Sequence, residues 1–281
     1  MRKLVFPALI ICYLAVIVPF TAQIRERSLA VKLGRMPEAE VIRLVAGEHR
    51  YLIAEYAVTK VLFYFGTLME KQKNNITATP EYFGMFKTLE TAIKLDPYNM
   101  DAYYFSQAAF TWEVGRAADV NSLLRYGMKY RTWDWYLPFF AGFNSAYFLK
   151  DYASAAIYMK KAAELSDNPL LTTLAARYFY ESRQNDFAIS FIDVMEQGAR
   201  DKKVKEVYGL RKKALVAIKA LSDSVQRYQS AQGSCPASLA ELVSAGLITE
   251  IPPDPYGGVF YLDEKCMVRT TSKLAFGKGD K

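Results

Sequence analysis

The stretch LETAIKLDPYNMDAYYFSQAAFTW, Leu89–Trp112, decides the fold. Leu89, Ala92 and Leu95 recur at helical spacing, and the Asp96-Pro97 step marks the end of that helix. Asn99 to Trp112 supplies the next one, in which Ala102, Tyr103, Ala108, Ala109 and Phe110 alternate small with large, as closely packed helix pairs require. Gly115 closes it, and a further helix from Arg116 to Tyr130 places Ala117, Val120, Leu123 and Leu124 on one inner face.

Working outward, the same arrangement returns. Trp135 to Leu149 offers Gly142 and Ala146 as small contact positions, and Lys150-Asp151-Tyr152 leads to Ala155, Met159, Ala162 and Leu165. Leu171 to Ser182, a polar turn at Gln184-Asn185-Asp186, and Phe187 to Gly198 with Ala188 and Ile192 inward form another pair. On these residues the part from Tyr82 to Arg200 resembles the tetratricopeptide repeat family, with three repeats and a degenerate one whose first helix is Tyr51 to Glu70. It departs from the family pattern at Gln107, where Gly is usual. The resemblance implies a right-handed superhelix of antiparallel helix pairs whose concave face binds a peptide or protein surface. Repeat phase then directs Tyr104 and Thr111, Phe140 and Asn144, and Arg177 and Glu181 to the groove. These do not reproduce the lysine and asparagine carboxylate clamp of some family members, so capture of a free peptide carboxyl-terminus is not implied.

Before the repeats, Arg2 and Lys3 precede an apolar run from Leu4 to Phe20, extended by Thr21 and Ala22. As a helix it reaches about 28 Å, close to the thickness of the hydrocarbon layer. Phe20 spoils a small-x-small cleavage site ending at Ala22, which favours an uncleaved signal-anchor over a cleaved signal peptide. The bulk of the chain is then expected outside the cytoplasm. Arg25, Arg27, Lys32 and Arg35 after the span outnumber the two leading charges, which leaves the inverse topology open. From Pro37 to Lys73 apolar positions at helical spacing, Val41, Leu44, Val45, Tyr51, Leu52, Ala54, Val58, Val61, Leu62 and Phe65, give one or two helices, followed by a polar loop from Lys73 to Pro80 in which Asn75-Ile76-Thr77 formally matches a glycosylation acceptor.

After the repeats a long amphipathic helix, Val204 to Tyr228, ends at Gly233, and the composition shifts to Pro and Gly. Ser238 and Glu241 have capping-box spacing around a short helix that Gly246 closes. Val259 to Leu262 and Met267 to Thr270 read as two strands about Asp263-Glu264-Lys265. Tyr228-Gln229, Cys235-Pro236-x-Ser238-Leu239 and Pro253-Asp254-Pro255-Tyr256-Gly257-Gly258, in this order before a hairpin, resemble the globular part of the major pseudopilin of type II secretion. The Gly-Phe processing site and helix glutamate of a prepilin are missing from Leu4 to Phe20, so the resemblance implies a shared fold and not a pilus subunit. Some pseudopilins bind calcium near this hairpin; Asp254, Asp263 and Glu264 are the local acids, and turn duty is the expected role. Cys235 and Cys266 stand where a staple would, and we expect them paired, with Cys12 unpaired; two free thiols in a cytoplasmic domain are the alternative.

Composition bounds the function. With 52% hydrophobic and 23% charged residues the 281-residue chain is globular. One histidine, His49, and three cysteines without a Cys-x-x-Cys pair give no two-histidine metal site or zinc ribbon, and no phosphate-binding glycine loop or serine elbow is present. The net charge of +7 is spread in short groups without a nucleic-acid motif. We therefore expect no enzyme, catalytic residue, cofactor, metal, nucleic acid or small-molecule substrate. The expected fold is mainly α, a tetratricopeptide-type helical-hairpin superhelix with a small α+β carboxy-terminal module. Its segments are a signal-anchor over 1–24, a helical linker and degenerate first repeat helix over 25–80, repeats over 81–201, and a long helix plus pseudopilin-like module over 202–281. The expected role is a single-pass inner-membrane scaffold, held by residues 4–22 and facing the periplasm, that binds a protein through its groove and assists an envelope, secretion or pilus-like machine. A structural subunit of such an apparatus is the alternative.

Overall fold

The computed structural model describes residues 2–26, 32–73, 80–166 and 168–274. The chain is mainly helical and divides into two compact units, Met1–Arg131 and Thr132–Lys281. The division falls inside the segment read as repeats, and residues 202–281 belong to the same unit as the helices that precede them. The Asn75-Ile76-Thr77 acceptor and Arg27 lie outside the described residues.

The first unit contains α1 (Arg2–Glu26), α2 (Ala39–Ala46), a 3-10 turn at Gly47–His49, α3 (Arg50–Lys73), α4 (Tyr82–Leu95), α5 (Met100–Ser106) continuing as a π-helical segment over Gln107–Glu113, and α6 (Ala117–Gly127). Gly47, at φ +52°, separates α2 from α3, because a left-handed backbone cannot continue a helix. α4 is the centre: Met85, Leu89, Ala92 and Ile93 are fully buried, and α2, α3, α5 and α6 pack against it. α3 turns Ala54, Ala57, Val58, Val61 and Leu68 inward at the three-and-four spacing of one helix face. Asn99 caps α5 by accepting from Ala102 N–H, and the Tyr103 hydroxyl donates to the Pro97 carbonyl across the turn.

The π-helical segment begins at Gln107, a long side chain that is buried. Widening to π geometry shifts every later residue around the axis. Thr111 is thereby carried fully inside, its hydroxyl donating to Gln107 Oε1 at 3.4 Å, while Ala108 and Trp112 turn outward. Thr111 accordingly does not face a groove.

The second unit runs through α7 (Tyr136–Tyr147), α8 (Tyr152–Glu164), α9 (Pro169–Glu181), α10 (Asn185–Gly198), α11 (Lys202–Gln232) and α12 (Leu239–Ser244) to an antiparallel hairpin of β1 (Phe260–Leu262) and β2 (Val268–Thr270). Consecutive helices from α7 to α11 pack in sequence order, and α11 also touches α9, α12 and β2. α7 and α8 approach closely: a Cβ at Gly142 would lie 3.2 Å from Met159 and 3.3 Å from the Ala155 carbonyl. Asp151, Asn168 and Asp201 accept from the first-turn amides of α8, α9 and α11. Gly233, at φ +72°, ends α11 in the left-handed conformation typical of helix ends. The hairpin register pairs Tyr261 with Arg269.

One core joins Met159, Leu171, Tyr180, Ile192, Leu215 and Ile218 to Leu239, Leu242, Tyr256, Phe260 and Val268, so the carboxy-terminal elements share the interior of α8–α11. Cys235 and Cys266 are disulfide-bonded with Cα atoms 6.0 Å apart, and Cys12 is unpaired and exposed on α1. Ser238 makes no side-chain cap; Glu241 instead accepts from Ala237 N–H at 2.9 Å and from the Tyr228 hydroxyl at 3.3 Å.

Two outcomes follow from this packing. A Cβ at Gly127 would fall 2.7 Å from the Tyr103 ring, so Gly127→Ala should destabilise the first unit by about 1 to 3 kcal/mol in chemical unfolding. Gly66→Ala, in open space on α3, should stabilise it by about 0.5 to 1 kcal/mol. Reducing the disulfide, which closes 31 positions, should cost the second unit about 3 to 4 kcal/mol, read as a lowered unfolding midpoint with reductant that a Cys235→Ala, Cys266→Ala variant does not show.

Candidate functional site

The first unit exposes apolar surface in an order its own core does not need. On α1 Ile11 is 66% exposed, Val16 70% and Phe20 54%, and nearly every residue from Ile10 to Ala22 is open. Opposite the buried faces of α2 and α3, Leu44 is 87% exposed, Val45 82%, Leu52 68% and Phe63 74%, with Val41 and Tyr56 also open. Scattered apolar residues on a surface need no explanation, but a run of them at helical spacing marks a face that something covers. By length and composition the helical stretch Ala39–Glu70 is also apolar enough to cross a membrane, with 33% of its 18-residue apolar window buried inside the structure. α1 contributes the shorter apolar helix Ile10–Ala22 among the described side chains, whereas the sequence places the span at residues 4–22.

The six groove candidates divide between the two units, two in the first and four in the second. Tyr104, on α5, is 60% exposed, and Thr111 is inside. Phe140 is half-buried, its ring 5.5 Å from Tyr136 and 5.4 Å from Phe139. Asn144 is fully buried, since it falls on the stripe Leu137, Ala141, Asn144, Ser145 that α7 turns inward, and it therefore faces no groove. Arg177 and Glu181 do come together, on α9, where they line a cavity of about 280 Å³ with Tyr180, Tyr261, Arg269, Thr270, Lys273 and Leu274.

Arg269 organises that cavity. Its Nη1 donates to Glu181 at 2.6 Å and its Nε to Asp263 at 2.9 Å, so one guanidinium ties α9 to the hairpin and to the hairpin's own turn. Burial opposes its charge, but the two carboxylates prevail and hold its pKa above the usual arginine value. Burial alone would raise the Asp263 pKa too; the amides of Met267 and Lys265 and the Arg269 guanidinium hold it below the aspartate value of 3.8. The Tyr180 hydroxyl donates to the Val268 carbonyl at 2.9 Å, and burial pushes its pKa up to about 12. Asp254 accepts from Tyr256 N–H, Thr270 and Ser272, so both aspartates of the suspected calcium region are engaged in local hydrogen bonds. A larger, more apolar cleft of about 700 Å³ lies among the ends of α8 to α11, lined by residues such as Pro169, Val194, Met195, Val204 and Tyr208.

Sequence reasoning did not single out Tyr180, Tyr261, Arg269 or Lys273, because it read α9 and the hairpin as parts of different modules. The one available signal was the alternation of Arg269 with buried Val268 and Thr270 along a strand, which marks its side chain as turned to the other face. Compared with family models, curated proteins and solved structures, the chain gives no match.

A depressed carboxyl contributes stability at neutral pH that is lost as pH falls through its folded value. Between about pH 5 and about pH 3 the second unit should therefore lose stability, and Asp263→Asn should flatten that loss while lowering the midpoint at pH 7. Unfolding followed across pH in both proteins measures the difference.

Proposed function

We propose that the protein is a membrane-tethered scaffold: α1 sits in lipid, and the helix pairs present surfaces that hold another envelope protein. The observation that carries this reading is the open apolar face of α2 and α3, the helices that come next after α1 in the chain. An α-helix apolar all round, as α1 is over Ile10–Ala22, suits hydrocarbon on every side. Ala54, Ala57, Val58 and Val61 pack inward, which favours α3 as a core helix with one exposed face over a second span. The sequential packing of α7 to α11 supports a tetratricopeptide-type array, and the bonded cysteines favour an oxidising compartment such as the periplasm. With the pseudopilin-like terminal module, we infer assembly of a secretion or pilus-like envelope machine as the setting. No residue in this reading is asked to do covalent chemistry.

Site-specific photocrosslinking in cells tests it. A crosslinking residue at Leu44 or Phe63 in the full-length protein should give a discrete adduct with a membrane or envelope protein, and one at buried Val58 should give none. Leu44→Asp with Phe63→Asp should abolish the adduct while changing stability by less than about 0.5 kcal/mol per site. Absence of any adduct from the exposed positions would remove the scaffold reading.

A further inference from the structure

We propose that the cavity between α9 and the carboxy-terminal hairpin binds a small oxyanion, a phosphate ester or a polycarboxylate, through Arg177 and Lys273. The site does not depend on the membrane or scaffold reading, because it lies wholly within the second unit.

The charge inventory points this way. Of the charged groups in the wall, Arg269 and Glu181 are committed to each other, and Asp263 takes the other side of Arg269. Arg177 and Lys273 have no acidic partner among the described residues, and set against the triad of Arg269, Glu181 and Asp263, which carries one excess negative charge, they leave the cavity net positive by one. Close to Arg177 on α11 stands Arg211, only 8% exposed, with its Nε and Nη1 lacking any hydrogen-bond partner. Its guanidinium lies 5.4 Å from the centre of the Tyr256 ring, a contact that offsets only part of the lost hydration. Burial holds its pKa below the usual arginine value; interaction with the Tyr256 side chain offsets part of this, and repulsion from Arg177 adds to it. Arg211 does not itself line the cavity, and it bears on the site through charge: an anion held by Arg177 lowers the cost of keeping Arg177 and Arg211 charged together.

Shape and donor chemistry narrow the ligand. A volume of about 280 Å³ corresponds to roughly nine water molecules, more than a halide needs and enough for a phosphate ester or a tricarboxylate. A guanidinium presents its donors as a planar fork that matches two oxygens of one oxyanion, and an ammonium adds a movable third contact. The Tyr261 hydroxyl, on an exposed side chain in the wall, can serve a ligand hydroxyl or a further oxygen. The Glu181 carboxylate would repel an anion if free; its bond to Arg269 removes that objection.

Full-length protein in detergent, at fixed ionic strength, provides the test. Inorganic phosphate, glycerol 3-phosphate and citrate are titrated separately against chloride, with the melting transition of the second unit and calorimetry as readouts. At least one of the three should raise the melting temperature saturably, and the one that acts at the lowest concentration tells a phosphate ester from a carboxylate. Arg177→Gln with Lys273→Asn, both at exposed positions, should weaken that binding at least tenfold, whereas Lys265→Gln should leave it within twofold. Lys273→Asn also suits the left-handed backbone there, at φ +51°. No saturable shift with any of the three anions, or an equal shift in the double variant, would overturn the proposal.

Discussion

Close approach of helices on alanine is the constraint from which the second unit follows. Ala155, Ala156, Ala162, Ala175, Ala176 and Ala188 are all fully buried, and Gly142 stands within contact distance of Met159. Small residues at these positions let successive helix backbones come near enough for the larger neighbours, Met159, Leu171 and Ile192, to interlock beyond them. An added methylene at such a point has nowhere to go, so the series α7 to α11 is fixed by side chains that themselves bury little area. The first unit applies the same rule at Ala54, Ala57, Ala92 and Ala102, all fully buried, and at Gly127, which admits the Tyr103 ring.

On that frame the carboxy-terminal elements complete a core and do not stand apart from it. Tyr180 and Val268, Glu181 and Arg269, and Arg183 and the Lys265 carbonyl are pairs far apart in sequence that meet between α9 and the hairpin. The disulfide holds the start of the module to the hairpin turn, and Arg269 holds the hairpin to α9. Two different bonds thus oppose the same loss, separation of the hairpin from the helices. Neither is a large hydrophobic contribution; the shared burial of Tyr256, Phe260 and Val268 supplies that.

Helix spacing made much of this legible. The inward faces of α4, α6, α8 and α10, the ends at Asp96-Pro97 and Gly233, and the hairpin about Asp263 follow from local rules of periodicity and backbone geometry. What the sequence could not carry was phase after an irregularity and contact between distant segments. The π-helical stretch at Gln107 turned Thr111 inward, and the buried stripe Leu137, Ala141, Asn144 claimed a position assigned to a groove. Arg177 and Glu181 share one face of α9, but their neighbours Arg269 and Lys273 arrive from about 90 residues away, a separation on which periodicity is silent.

The fate of that face bears on how the molecule divides its labour. An array of helix pairs offers its inner surface to a partner only while nothing of its own chain lies on it. Here the hairpin lies against α9, and Arg177 and Glu181 look into a small polar cavity in place of an open groove. A cavity of that size accepts a small ion more readily than a polypeptide. The long apolar faces that remain open belong to α1, α2 and α3, and these have the extent and spacing that a protein or lipid surface requires. In the scaffold we propose, attachment to large partners falls to the first unit, while the second, closed by its own carboxy-terminal hairpin, keeps a charged pocket of its own.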